Sequence, residues 1–203
     1  MKTPPDGTVF IVDDDDDFRD SMQWLLEAEG LSVTGFASAS AFIETYDGQP
    51  GCMLLDVRMP DINGLALQQM LLDKGFSLPI IVISGHGDIP MAVTAIKSGA
   101  MDFIEKPFDD AVLLHRVNLG LKQAGEQHRQ NLLRNETRSR YASLSRREKE
   151  VMALVVAGRA NREIAEDLGI SPKTVEVHRS RVMGKMQAGS LPQLVNMAGL
   201  LAV

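Results

Sequence analysis

Five short strand-like runs recur between residues 8 and 105, each followed by a stretch with helical spacing. The runs fall at 8–13, 32–36, 51–56, 79–84 and 102–105. Val9-Phe10-Ile11-Val12, Cys52-Met53-Leu54-Leu55 and Ile80-Ile81-Val82-Ile83 are too short for helices and too continuously apolar for a half-exposed sheet, so they read as strands buried on both faces. The stretches near 17–29, 39–46, 64–74, 88–98 and 109–124 read as helices. In the first, Phe18, Met22, Leu25 and Leu26 form one stripe, and Trp24 lies off it with no role that the pattern explains. Five strand–helix units in succession predict an α/β fold: a parallel sheet, helices on both faces, right-handed crossovers.

Ligands of such sheets bind at the carboxyl ends of the strands. Asp13 and Asp14 follow the first run, and Asp56 ends the third. Carboxylates crowded there repel, and a hard divalent cation is the usual remedy. Ile83-Ser84-Gly85-His86-Gly87 follows the fourth run; Phe103-Ile104-Glu105-Lys106-Pro107-Phe108 spans the end of the fifth. Anions for a metal, a hydroxyl beside glycine, and a lysine make a set suited to a phosphoryl group. Asp15, Asp16 and Asp17 read as the N-terminus of the next helix, where the macrodipole favours acid. His86 has no His or Cys at metal-ligand spacing and reads as a loop residue. Gly64, in Asp61-Ile62-Asn63-Gly64, is turn chemistry, and Lys106-Pro107 is a candidate cis peptide.

The net charge of −6 conceals an asymmetry. Residues 1–125 carry 8 Lys and Arg against 19 Asp and Glu, net −11; residues 126–203 carry 13 against 8, net +5. An acidic half joined to a basic half predicts two domains with different partners, the basic one suited to nucleic acid. Cys52, the single cysteine, sits within a strand and is expected to be a buried, inert thiol. The N-terminus lacks the apolar core of a signal peptide and no run approaches a membrane span, which predicts a soluble, cytoplasmic protein without membrane attachment.

Residues 126–143 are polar apart from Leu132-Leu133 and read as a linker, either a continuation of the preceding helix or a flexible coil. After Leu144 the strand signals vanish. Ser145-Arg146-Arg147-Glu148 is a capping box that opens a helix ending at Gly158. A short helix follows, Asn161 to Leu168, then a turn at Gly169-Ile170. Ser171 caps a third helix with Pro172 at its first position, and Leu191 to Leu201 forms a fourth. Helix, tight glycine turn and helix in a small basic bundle is a helix-turn-helix pattern.

These motifs, in this order, closely resemble two families. Residues 8–125 resemble the receiver domain of two-component response regulators, the CheY-like fold. Residues 144–203 resemble the LuxR-type helix-turn-helix domain, and the pairing matches the FixJ/NarL class of transcription factors. The resemblance implies a five-stranded sheet of order 2-1-3-4-5, with domains at 1–125 and 144–203. It implies that Asp56 is the phosphoacceptor. Asp13, Asp14, Asp56 and the backbone carbonyl of Arg58 would hold Mg²⁺, for which Ca²⁺ or Mn²⁺ can substitute. Ser84 would bind the phosphate, Lys106 would pair with its oxygens, and Phe103 would be the switch aromatic, acting by packing alone because it lacks a tyrosine hydroxyl. Arg58 is bulky beside the phosphorylation site.

On the predicted recognition helix, Lys173, Glu176, Val177, Ser180 and Gly184 share one face, opposite Val175, Val182 and Met186, which are therefore core. Glu176 is suited to cytosine N4 and Val177 to a thymine methyl. Thr174, Arg179, Arg181 and Lys185 flank that face and suit phosphate contacts. His178 borders the core. Ala160 stands where the family often has a Ser or Thr cap. The expected partners are double-stranded DNA, a sensor histidine kinase, a second copy through the 88–98, 102–105 and 109–124 face on phosphorylation, and RNA polymerase. The expected function is phosphorylation-controlled transcription, with self-phosphorylation and slow self-dephosphorylation as its only catalysis. A DNA-binding regulator with a vestigial receiver is the alternative. An aspartate-based phosphatase is disfavoured, because such enzymes carry a second acid where Arg58 stands.

Overall fold

The computed structural model describes residues 7–85 and 89–201. His86 and Gly87 lie outside the described residues. The chain begins with β1 (Thr8–Val12), α1 (Asp16–Ala28), β2 (Ser32–Phe36), α2 (Ala39–Thr45), β3 (Gly51–Asp56), α3 (Gly64–Asp73), β4 (Ile80–Ser84), α4 (Ile89–Lys97), β5 (Asp102–Glu105) and α5 (Asp110–Ala142). The five strands form one parallel sheet in the order β2-β1-β3-β4-β5, a CheY-like receiver.

Alternation along each strand divides the apolar side chains between two layers. Val9, Ile11, Leu54, Ile81 and Ile83 pack with Met22 and Leu26 of α1 and with Leu113, Val117 and Leu121 of α5. Phe10, Val12, Met53, Leu55 and Val82 pack on the other face with Phe42 of α2, Leu67 and Leu71 of α3 and Ala95 of α4. Burial on both faces explains why the central runs lack polar alternation. Edge strand β2 (Ser-Val-Thr-Gly-Phe) is mostly exposed. Cys52 is fully buried, and burial pushes its thiol up to about 12. A Cβ on Gly120 of α5 would collide with the Cys52 sulfur, so glycine here lets helix and sheet close together.

Helix α1 begins as the acidic run predicted. Asp15 is its N-cap, accepting from the Phe18 N–H, and Asp16 and Asp17 occupy the first turn. Helix α5 departs from the predicted end near 124. It runs unbroken to Ala142, so the polar stretch is helix and not coil. Its Gln, Glu and Arg residues favour helix, no proline interrupts them, and pairs such as Arg140–Glu136 at 2.6 Å support the last turns. The chain divides into two compact units, one ending at Arg129 and the next beginning at Gln130. Part of the polar stretch belongs to the second unit: Thr137 is fully buried, and Tyr141 packs against that unit's core.

The second unit adds α6 (Arg146–Val156), α7 (Asn161–Leu168), α8 (Pro172–Met186) and α9 (Leu191–Leu201). Val151, Val155, Ile164, Val175, Val182, Met186, Leu194 and Met197 form its core. The Ser145–Glu148 capping box is present in both directions, at 3.3 and 2.8 Å. Gly169 adopts the left-handed conformation between α7 and α8, and Ser171 caps α8 with Pro172 at the first position. No helix among the described residues is long and apolar enough to cross a membrane.

Candidate functional site

The strand register brings the acidic edge together. Val12 lies beside Leu55, Asp56 beside Ile83, and Ser84 beside Glu105. The residues just past β1 and at the ends of β3 and β4 therefore meet at one edge of the sheet. Asp13, Asp14, Asp15, Asp56, Arg58, Ser84, Gly85 and Lys106 line one open cleft of about 340 Å³. Asp13, Asp56 and Ser84 are buried, whereas Asp14 is exposed at the rim.

Asp56 Oδ2 accepts the Arg58 backbone N–H at 2.6 Å, and Oδ1 lies 3.5 Å from the Lys106 ammonium. Asp13 Oδ2 accepts from Lys106 Nζ at 2.8 Å, and Oδ1 accepts the Asp15 N–H at 2.9 Å. Lys106 thus bridges two carboxylates. Its backbone N–H bonds the Ser84 carbonyl at 2.9 Å, joining the loops after β4 and β5. The Lys106–Pro107 bond is cis. Burial first, and then the Asp13 charge, push the Asp56 carboxyl above its ordinary range; the Arg58 N–H and Lys106 pull it back. Asp13 is the crowding neighbour that raises it.

Gly64 does more than turn the chain. A Cβ there would collide with the backbone carbonyl of Asp56, while its N–H bonds the Val57 carbonyl at 3.0 Å. The first turn of α3 therefore lies against the end of β3, steadying the strand that carries Asp56. Phe103, on β5 beside Val82, is half-buried against the layer containing α4. Two contributors are illegible in sequence. Phe18, half-buried in the α1 layer, also holds the Lys106 ammonium 3.5 Å above its ring and meets Phe108 edge-on. Arg19 donates to the Asp13 carbonyl at 2.7 Å. Nothing in the spacing of either residue marks those contacts.

Among the described residues, no three His, Cys, Asp or Glu side chains are gathered as a metal-holding group. The Lys106 ammonium lies between Asp13 and Asp56 instead. The donor chemistry nevertheless fits a hard divalent cation: four carboxylates, Asp13, Asp14, Asp15 and Asp56, line one cleft, and a positive charge already answers the repulsion between two of them.

In the second unit, Val175, Val182 and Met186 of α8 are buried as the wheel requires. Lys173, Glu176, Val177, Ser180, Gly184, Arg181 and Lys185 are exposed, and Thr174, His178 and Arg179 are half-buried. The His178 Nδ1 is buried with no hydrogen-bond partner among the described residues. Several polar groups on the helix are already engaged. Lys173 pairs with Glu176 at 3.1 Å, and Arg179 donates to Asn161 Oδ1 at 2.8 Å. Lys185 bonds the buried Glu148 at 2.7 Å, an intramolecular role the sequence does not signal. That bond, with the Ser145 N–H, holds the Glu148 carboxyl down to about 2. Ala160 supplies no side-chain cap to α7, and Asn161 does not replace it; Glu163 returns to the Ala160 N–H at 2.8 Å, leaving half a capping box.

A CheY-like sheet with this acidic cleft, followed by a helix-turn-helix bundle, defines a receiver coupled to a DNA-binding module. Comparison with known families agrees. Residues 9–118 match the response regulator receiver domain, and residues 142–198 match bacterial regulatory proteins of the luxR family. The transcriptional regulatory protein FixJ of Azorhizobium caulinodans is 50% identical, over 98% of this chain and 95% of its own length. The response regulator TodT of Pseudomonas putida is 44% identical, over 93% and 84%. The solved structure of the response regulator StyR superposes with a TM-score of 0.86 at 39% identity, covering 95% of this chain and 98% of its own. The chain belongs to the response regulator transcription factors of the FixJ/LuxR type.

Proposed function

We propose that Asp56 takes a phosphoryl group from a histidine kinase and that the modification controls dimerisation and operator binding in the cytoplasm. The observation that carries this reading is the convergence of Asp13, Asp56, Ser84 and Lys106 on one cleft. The two oxygens of Asp56 differ. Oδ2 is held by the Arg58 N–H, so Oδ1, on the Lys106 side, is the oxygen that attacks phosphorus. The bond from phosphorus to the kinase histidine breaks, and an acyl phosphate forms on Asp56. Lys106 then exchanges a carboxylate partner for a phosphoryl oxygen, and the Ser84 hydroxyl donates to another. Asp13, Asp14, Asp56 and the Arg58 carbonyl are the groups that would hold Mg²⁺, which shields anionic nucleophile from anionic phosphoryl when bound.

Movement of Ser84 toward the phosphate opens room that Phe103 fills, and the surface of α4, β5 and the first part of α5 changes shape. Ile89, Val93 and Ile96 on α4 and Val112 and Leu119 on α5 are exposed apolar residues on those elements, suited to a second copy. The dimer presents two α8 helices to successive major grooves, with half-sites about 10 bp apart or a multiple. Glu176, Val177, Lys173 and Ser180 read bases, while Thr174, Arg179, Arg181 and Lys185 meet phosphates and RNA polymerase is a further partner. Catalysis is limited to self-phosphorylation and slow self-hydrolysis. Incubation with acetyl phosphate and Mg²⁺ should add one phosphate by mass and convert monomer to dimer in sedimentation; Asp56→Asn should block both. Dimerisation of Asp56→Asn on treatment with the phosphodonor would refute the switch.

A further inference from the structure

The first turn of α1 reaches the phosphoryl cleft through a side chain that the acidic motif does not include. Phe18 is the third residue of the helix, and the cap fixes it there: Asp15 Oδ1 accepts the Phe18 N–H at 3.1 Å. Its ring is half-buried in the layer of α1 and α5 and meets Phe108 edge-on, with the centroids 6.3 Å apart. The same ring lies under the Lys106 ammonium, 3.5 Å from Nζ to centroid. Four contacts then close a loop. Asp13 Oδ1 accepts the Asp15 N–H, Asp15 holds the Phe18 N–H, the Phe18 ring holds the Lys106 ammonium, and Lys106 Nζ returns to Asp13 Oδ2 at 2.8 Å. Asp56 stands outside this loop, its Oδ1 farther from the ammonium at 3.5 Å.

We propose that Phe18 is a positioning residue for phosphoryl transfer to Asp56: its aromatic face holds the Lys106 ammonium beside Asp56 Oδ1, so that the positive charge is in place when a phosphoryl group arrives. The inference rests on the phosphoacceptor reading given above. An ammonium carries three donors, and this one has three neighbours for them: Asp13, Asp56 and the ring. A ring suits the third place better than another carboxylate. It attracts a cation through its quadrupole yet carries no net charge, and so adds no repulsion toward an anionic phosphoryl group. A lysine stem is flexible, and the ring removes part of the ordering that would otherwise fall on the reaction. When the bond from Asp56 Oδ1 to phosphorus forms, Lys106 exchanges its Asp56 neighbour for a phosphoryl oxygen, while Asp13 and Phe18 keep hold of it.

Uptake by the full-length chain from acetyl phosphate with Mg²⁺, followed by mass, tests the role; the phosphoryl group passes to Asp56 as its bond to acetate breaks, and acetate leaves. Phe18→Leu keeps the bulk and removes the aromatic face, and should slow uptake about fivefold, whereas Phe18→Tyr should stay within about twofold. In a Lys106→Met background, Phe18→Leu should change uptake by less than about twofold, since a residue that acts through Lys106 has nothing left to position. A packing role alone would slow both backgrounds alike. A second readout needs no phosphate. In protein labelled with ¹⁵N-lysine, the Lys106 ammonium protons should lie upfield of those of the other lysines, shielded by the ring, and should lose that shift in Phe18→Leu. Equal slowing in both backgrounds, no slowing in either, slowing by Phe18→Tyr as large as by Phe18→Leu, or an ammonium shift unchanged by Phe18→Leu would overturn the role of Phe18 and leave the phosphoacceptor reading standing. Absence of uptake by the unaltered chain would overturn that reading and the role built on it.

Discussion

Asp56 is buried beside a like charge, and its ionised form therefore costs stability. Its carboxyl is raised in the folded state, so the native protein holds that proton at a pH where the unfolded chain has lost it. As pH rises through the raised value, ionisation becomes a penalty on the fold. Asp56→Asn should accordingly resist urea better than the unaltered chain at pH 7. The advantage should shrink as pH falls and Asp56 takes up its proton. Unfolding followed at pH 4 and pH 7 measures both. Lys106→Met removes the cation shared by Asp13 and Asp56 and should drive the Asp56 carboxyl further up, seen as a later midpoint in its carboxyl ¹³C titration. An unchanged midpoint would mean that Lys106 does not hold the pair. The meeting of Asp13, Asp14 and Asp56 at one cleft could be suspected from sequence because each ends or follows an apolar run. The contacts of Phe18 and Arg19 could not, because a ring under an ammonium and a guanidinium on a backbone carbonyl leave no periodic trace.

Local elements carry their own signatures and their own tests. Gly64 seats α3 against the end of β3, and Gly64→Ala places a methyl on the Asp56 carbonyl. The expected cost is about 1–3 kcal/mol of stability, with slowed phosphate uptake at Asp56, measured by urea unfolding and by mass. In the second unit, Glu148 closes the cap of α6 and receives Lys185 from α8. Its depressed carboxyl contributes stability that is fully present above the ordinary glutamate range. That contribution is lost as pH falls from about 4.5 towards about 2. Glu148→Gln should flatten this acid limb for the second unit, followed by hydrogen exchange of α6 amides. The capping box, the Ser171-Pro172 start and the glycine turn were legible because each is set by neighbours in the chain. The length of α5 was less legible, since a polar sequence without breakers suits both helix and coil.

For the molecule as a whole, the division of charge sets how it meets DNA. The unit carrying the helix-turn-helix is the basic one, and a dimer doubles each of its contacts. Arg181 is exposed and has no ion pair among the described residues, whereas Lys185 is bound to Glu148. Arg181→Ala should therefore reduce the slope of log K against log salt by roughly 2 in the dimer, at about 0.9 for each phosphate contact. Lys185→Met should change the slope less and the stability of the second unit more. Operator binding measured between 50 and 200 mM salt, alongside unfolding, separates the two.

Alternating apolar runs and helical stripes are local properties, so the chain order alone identifies two modules, the parallel sheet, the acidic edge and the helix-turn-helix bundle. Period two along a strand and period three to four along a helix record which faces are buried. Pairings between distant residues are not periodic. Lys106 reaches Asp13 across 93 residues, Lys185 reaches Glu148 across 37, and Gln68 reaches the Ser98 carbonyl across 30. Each depends on where whole helices and strands come to rest against one another. Folding therefore settled which cation neutralises the cleft and which lysine is committed inside the second unit.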